Sequence, residues 1–143
     1  MAQAKHKTPA PRSKAYTEGL KARRRWLGKA YVDKAFRDAD DFTIDLQHSV
    51  TEHGWGASWA RGVLPMKTRA FMNLAMICAL NRPHELEIHL RGAIRNGMTK
   101  EEIKETFLHV ACYCGWPAAL DGFRIAKKLL AELPRPGSRS ARK

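Results

Sequence analysis

Between Met66 and Leu80 the chain reads MKTRAFMNLAMICAL, apolar on nearly every side of a helix, with Arg69 and Asn73 as polar exceptions. Such a helix is predicted to be the buried centre of a domain, so the remaining chain must supply amphipathic elements to wrap it. Helix punctuation marks them out. Thr17–Leu27 has Thr17 as a possible N-cap and Gly28 as a stop. A second helix is predicted from Lys29 to Arg37, with Ala30, Tyr31 and Ala35 turned partly inward. A third runs from Asp40 to Glu52, its acidic start suiting the positive end of a helix dipole. HGWGASWARGVLP (53–65) reads as a loop with large apolar anchors. Pro83 suits the first turn of a helix that ends at Asn96 before Gly97. Thr99 and Glu102 form a capping box for a helix reaching Cys114. After Gly115 and Pro117 a last helix reaches Glu132. No run alternates with period two long enough for a strand, so the expectation is an all-α, single helical domain of about seven helices.

The length of 143 residues suits one such domain. The net charge of +12 invites a nucleic-acid reading, but eight of those charges lie in residues 1–15 and 134–143, which hold no acidic residue. Both stretches are rich in Pro, Ser, Ala and Lys/Arg and are expected to be disordered tails around a body at 16–133. The body is left with a mild excess that suits an anionic small molecule, and it lacks a basic helix face interleaved with aromatics. No apolar run approaches a membrane span and no secretory core follows the first residues, so a cytoplasmic protein is expected. Cys78, Cys112 and Cys114 have no zinc or C-x-x-C spacing, and free buried thiols are expected.

The densest titratable cluster is NRPHELEIHLRG (81–92). A zinc protease needs two histidines four apart on one face, whereas His84 and His89 are five apart and diverge by about 140°. No metal is therefore expected. Leu86, Leu90, Ala93 and Ile94 define the buried stripe, with Glu85 and His89 along its border and His84 and Arg91 nearly opposite. Glu85 is thus placed to orient His89 in a sheltered pocket; the plainer reading is a surface ion pair. Trp55 and Trp59 either wall a pocket or plug the core. In HVACYCGWPAA (109–119) the small residues beside Tyr113 and Trp116 read as close helix packing, or as a cleft at a helix break. Arg69 is less easily dismissed, because a charge in an apolar helix must be paired, end-exposed or bound to an anion.

The stretches GLKARRRWLGKAYVDKA, WGASW, KTRAFMNLAMICALNRPHELEIHLRGAIRNGMTKEEIKE and YCGWPAALDGFR together resemble the carboxymuconolactone decarboxylase family, over about Thr17–Glu132. The resemblance implies an alkylhydroperoxidase D-like helical fold and a homo-oligomer, commonly a hexamer, with a trimer also possible and sites near subunit contacts. It implies a cofactor-free carboxy-lyase converting 4-carboxymuconolactone to 3-oxoadipate enol-lactone in protocatechuate (β-ketoadipate) catabolism. Alternatives are another lactone or oxo-acid substrate, or a thiol peroxidase using Cys112 or Cys114. Laid on the alkylhydroperoxidase D-like pattern, the reactive cysteines fall at Arg82 and Glu85 and the glutamate at Ala70, while the histidine is kept as His89. The loop GWGASWARGVLP is smaller and less acidic than in the decarboxylases, which bears on substrate more than on fold. On this basis Arg69, with Arg82 second, is expected to bind a substrate carboxylate, assisted by Asn73. His89 is expected to give the proton or the oxyanion hydrogen bond, with Glu85 orienting it and His84 in reserve. Trp55, Trp59 and Tyr113 are expected to wall the pocket.

Overall fold

The computed structural model describes residues 12–133; the reading of residues 1–15 and 134–143 as tails lies outside them except at 12–15, where Ser13 caps a helix that has begun by Lys14. Seven α-helices and no strand occur among the described residues. They are α1 (Lys14–Leu27), α2 (Lys29–Asp38), α3 (Ile44–Ser49), α4 (Met66–Ala79), α5 (Pro83–Arg95), α6 (Lys100–Cys114) and α7 (Trp116–Ala131). The chain between α3 and α4 forms a π-helical turn, Val50–Gly56, and a short 3-10 turn, Trp59–Arg61. One core joins Trp26, Trp55, Leu74, Leu86, Leu90, Ile103, Phe107 and Leu129, drawn from both ends of the chain.

The helix signals in the second half behave as predicted. Thr99 accepts from the backbone N–H of Glu102 while the Glu102 carboxylate accepts from that of Thr99, closing the capping box at α6. Gly28, Gly97 and Gly115 all adopt positive φ at helix ends. α4 departs from its prediction. Ala70, Leu74 and Cys78 are buried against α5, α6 and α7, but Met72, Met76 and Leu80 are exposed, so this helix has one uncovered apolar side.

The first half departs further from the pattern its sequence predicts. α1 starts at Lys14, because Ser13, not Thr17, accepts from the Tyr16 backbone N–H. Its inward stripe is Tyr16, Gly19, Arg23 and Trp26. In α2 only Val32 is buried; Ala30 and Tyr31 face out and Ala35 is partly covered. The predicted loop at 53–65 is helical as far as Gly56, and Ala57 N–H bonds to Glu52 O at 2.9 Å, five residues back.

That wide turn exists because two backbones meet. A Cβ on Gly19 of α1 would lie 2.2 Å from Thr51 O, and one on Gly56 would lie 2.1 Å from Ala15 O. The guanidinium of Arg23 then reaches across to the Thr51 hydroxyl at 2.9 Å and the Gln47 side-chain oxygen at 2.8 Å. Any side chain at Gly19 must push the two elements apart. Gly19→Ala is expected to destabilise the protein by about 1–3 kcal/mol or more, read as a lower midpoint in urea unfolding. An unchanged midpoint would show that the contact is not tight.

Candidate active site

His89 lies on α5 at the edge of its buried stripe, where α5 faces α4 and the segment between α3 and α4. Its ring faces a pair of indoles. The Trp55 ring lies nearly parallel to it, at 9° and 6.1 Å between centroids, and the Trp59 ring is at 24° and 6.1 Å. The two indoles contact each other at 4.6 Å, and Trp59 also meets Trp26 at 5.4 Å. From α4, the Asn73 side-chain amide nitrogen sits 3.0 Å from His89 Nδ1. An amide nitrogen donates, so Nδ1 accepts and the ring proton of the neutral imidazole lies on Nε2. Burial among these groups pushes the His89 pKa down to about 4, which leaves the ring uncharged at neutral pH.

One turn before Asn73, Arg69 projects from the same side of α4. Its Nη1 donates to Ser58 Oγ at 3.2 Å, in the residue next to Trp59. Its Nε is buried without a hydrogen-bond partner, and Arg69 forms no ion pair among the described residues. A guanidinium so placed carries unused donors suited to a carboxylate. Arg69, Ser58, Trp59, Trp55, His89 and Asn73 thus form one connected group of a fixed cation, a neutral imidazole and two aromatic walls. A separate cleft of about 620 Å³ opens between Trp26, Lys21, Arg25 and Lys67 and shares only Trp59 with the group.

The structure revises several expected partners. Glu85 is exposed in the first turn of α5 and makes no hydrogen bond to His89; Asn73 takes that place. The carboxylate lies toward α1 and α2 instead. It adds to burial in raising the Tyr31 pKa, and with Tyr31 and Tyr16 it opposes the downward pull of burial on Arg23. Asn73, expected to touch substrate, is engaged by the imidazole. Tyr113 is 79% exposed and packs on His109, so within this protomer it walls no pocket with His89. His84 and Arg82 are exposed at the start of α5. The thiols are free, but only Cys78 is buried, donating to Ala118 O at 3.2 Å; Cys112 and Cys114 are exposed. Burial raises the Cys78 thiol pKa, which disfavours its thiolate.

Two participants escaped the sequence reading. Ser58 sits in the glycine-rich loop, and nothing local marks it as the partner of Arg69. Arg23 carried a usable signal, since it falls on the stripe that Tyr16, Gly19 and Trp26 define.

Residues 45–128 match the carboxymuconolactone decarboxylase family, more than half of the chain and the part that holds the whole group around His89. The chain belongs to that family. It is 36% identical over 118 residues to 4-carboxymuconolactone decarboxylase of Acinetobacter baylyi, covering 82% of this chain and 88% of the relative. It is 38% identical over 122 residues to nitrosuccinic acid decarboxylase npaB of Metarhizium robertsii, covering 85% of each. A third relative, an uncharacterized 15.0 kDa protein of Paracoccus denitrificans, is 33% identical over 84 residues, covering 57% of this chain and 62% of the relative. As a member of this family the chain is a carboxy-lyase. No helix among the described residues is long and apolar enough to cross a membrane.

The depressed His89 pKa links the site to stability. The unfolded chain takes up this proton near 6.5 and the folded chain only near 4, so between those values the unfolded state holds more protons. Stability therefore falls as pH drops from about 6.5 to about 4 and this contribution levels off below. The full loss is on the order of 3 kcal/mol. His89→Gln removes the titration, so the stability difference between parent and variant, from urea unfolding at several pH values, should change with pH in that window. A constant difference from pH 4 to 7 would contradict a buried neutral imidazole.

Proposed function

We propose that this carboxy-lyase decarboxylates 4-carboxymuconolactone to 3-oxoadipate enol-lactone, with no cofactor, in the protocatechuate (β-ketoadipate) route. The observation that carries the reading is a neutral Nε2–H imidazole facing a pair of indoles, with a guanidinium carrying unused donors one helical turn from its Asn73 partner. The reaction asks for those parts. In the lactone, the departing carboxylate sits on a ring carbon next to a C=C conjugated to the lactone carbonyl. As CO2 leaves, the C–C electron pair moves through that double bond and becomes a dienolate on the carbonyl oxygen. The substrate is its own electron sink.

The protein then has three tasks: to hold a dianion, to meet the developing oxyanion, and to place the departing carboxylate in a less polar environment. Arg69 suits the carboxylate that is retained, because its fork matches carboxylate geometry and its charge has no carboxylate partner nearby. His89 Nε2–H suits the oxyanion: a neutral donor in a sheltered site needs no change of protonation to act. The paired indoles of Trp55 and Trp59 suit one face of the conjugated ring. The dienolate finally takes a proton from solvent on the carbon next to the carbonyl, which yields the enol-lactone. Glu85, His84, Arg82 and Tyr113 have no direct part in this protomer's reaction. Homo-oligomer formation, a hexamer or a trimer, and a cytoplasmic location belong to the same proposal.

The nitrosuccinic acid decarboxylase relative favours a second substrate of the same logic. There a nitro group takes up the electron pair as a nitronate, and its oxygen stands where the lactone carbonyl would. Supplying purified protein with either compound and measuring CO2 release distinguishes them; turnover of the nitro acid alone would replace the lactone reading.

Removal of an oxyanion donor typically costs about 10²–10³ in kcat, and His89→Ala is expected to fall in that range while remaining folded. A folded His89→Ala at the parental rate would sink the assignment. Arg69→Ala should mainly raise KM. The pH profile carries the sign of the mechanism. With neutral His89 as the active form, kcat/KM stays flat across neutral pH and falls only as pH approaches about 4. A requirement for imidazolium would instead give activity that rises toward pH 4.

A further inference from the structure

Arg23 is the buried charge that the proposed chemistry does not use. It is 6% exposed, lies in the inward stripe of α1, and has no carboxylate in an ion pair among the described residues. Its Nε has no hydrogen-bond partner there either. Burying a guanidinium this way is costly, and an apolar residue of similar size would pack the stripe at lower cost. What the charge does is specific. Nη1 donates to the hydroxyl of Thr51, which is fully buried, and Nη2 donates to Gln47 Oε1; Thr51 itself donates to Gln47 O at 2.7 Å. Both partners flank the point where the α-helical chain widens into the π-helical turn. Trp55 follows Thr51 by four residues on the same buried side of that turn and presents its face to His89.

We propose that Arg23 is a positioning residue for the decarboxylation site, holding Thr51 and Gln47 so that the π-helical turn seats Trp55 flat against His89. Arg23 touches neither His89 nor the substrate position. It acts through the turn, and it does so only because its planar fork reaches two acceptors at once; a lysine in its place supplies a point charge without that fork. The inference rests on the His89 reading for its effect on rate, but not for its effect on the ring's environment. Arg69, one turn from Asn73 on α4, and Glu85, one turn before His89 on α5, are untouched by the variants below.

The test uses Arg23→Met, Arg23→Lys and Thr51→Val in the full-length chain, with thermal unfolding, steady-state kinetics and NMR titration of the His89 ring in the absence of substrate. Arg23→Met removes the charge while keeping much of the volume, and Thr51→Val removes the acceptor at constant shape. A loosened Trp55 admits water to the imidazole, so His89 is expected to titrate about one unit or more higher in both. kcat should fall by about tenfold or more, with a smaller change in KM, since small misplacements cost large factors. Arg23→Lys should rescue only part of either. If Arg23→Met does not fold, Thr51→Val decides the matter alone. A folded variant that keeps both the parental kcat and the parental His89 titration, whatever its melting temperature, overturns the proposal. The His89 titration needs no turnover: an enzyme inactive on the lactone with a shifted ring titration refutes the substrate reading and leaves the positioning role standing.

Discussion

The backbone of α1 touches the backbone of the π-helical turn through Gly19 and Gly56, and the geometry of the site depends on that contact. Neither glycine leaves room for a Cβ, so the turn lies closer to α1 than ordinary helix packing permits. The closeness brings Thr51 within reach of Arg23 and turns Trp55 into the core. Trp55 then faces His89, Asn73 bonds the other edge of that ring, and one turn earlier on α4 Arg69 reaches back to Ser58. Three separate stretches of chain thus converge on one imidazole.

The electrostatics follow from the packing. A buried histidine that faces two indoles, with an amide as its polar neighbour, has lost most of its hydration and gained no carboxylate, so its charged form is disfavoured. Had Glu85 been its partner, the carboxylate would have favoured the imidazolium, the opposite protonation state at neutral pH. The protein keeps its positive charge at the site on Arg69 and its neutral donor on His89. That division suits a substrate that arrives as a dianion and develops new negative charge on an oxygen.

Much of the fold was legible because helix ends are written locally. The Thr99–Glu102 box, Pro83, Gly28, Gly97 and Gly115 each act within one turn of where they sit, and each appears where it was read. The π-helical turn was not legible, since Gly56 matters only through its approach to Ala15 and Gly19 on the distant α1, which nothing within the turn announces. Ser13 displaced Thr17 as a cap because both residue types are competent and only geometry chooses between them. Arg69, His89, Trp55 and Trp59, which the structure brings together, are the residues that stand out when one asks where a charge or a large aromatic sits against an apolar background. Glu85 was misassigned because i,i+4 spacing makes a contact possible without making it; the first turn of α5 turns that carboxylate away from the ring. Tyr113 lies on the outer side of α6, a fact that helix periodicity blurs when a run is apolar on all sides.

The proposed chemistry requires that His89 rest as a neutral imidazole with its proton on Nε2, free to donate to substrate oxygen. The most direct measurement is the ¹⁵N chemical shifts of the two His89 ring nitrogens in protein labelled at histidine, followed from pH 8 down to pH 4. A protonated-type signal for Nε2 and an unprotonated-type signal for Nδ1 at pH 7, merging into an imidazolium pattern only near pH 4, is the predicted result. An imidazolium at pH 7, or a proton resident on Nδ1, would contradict it.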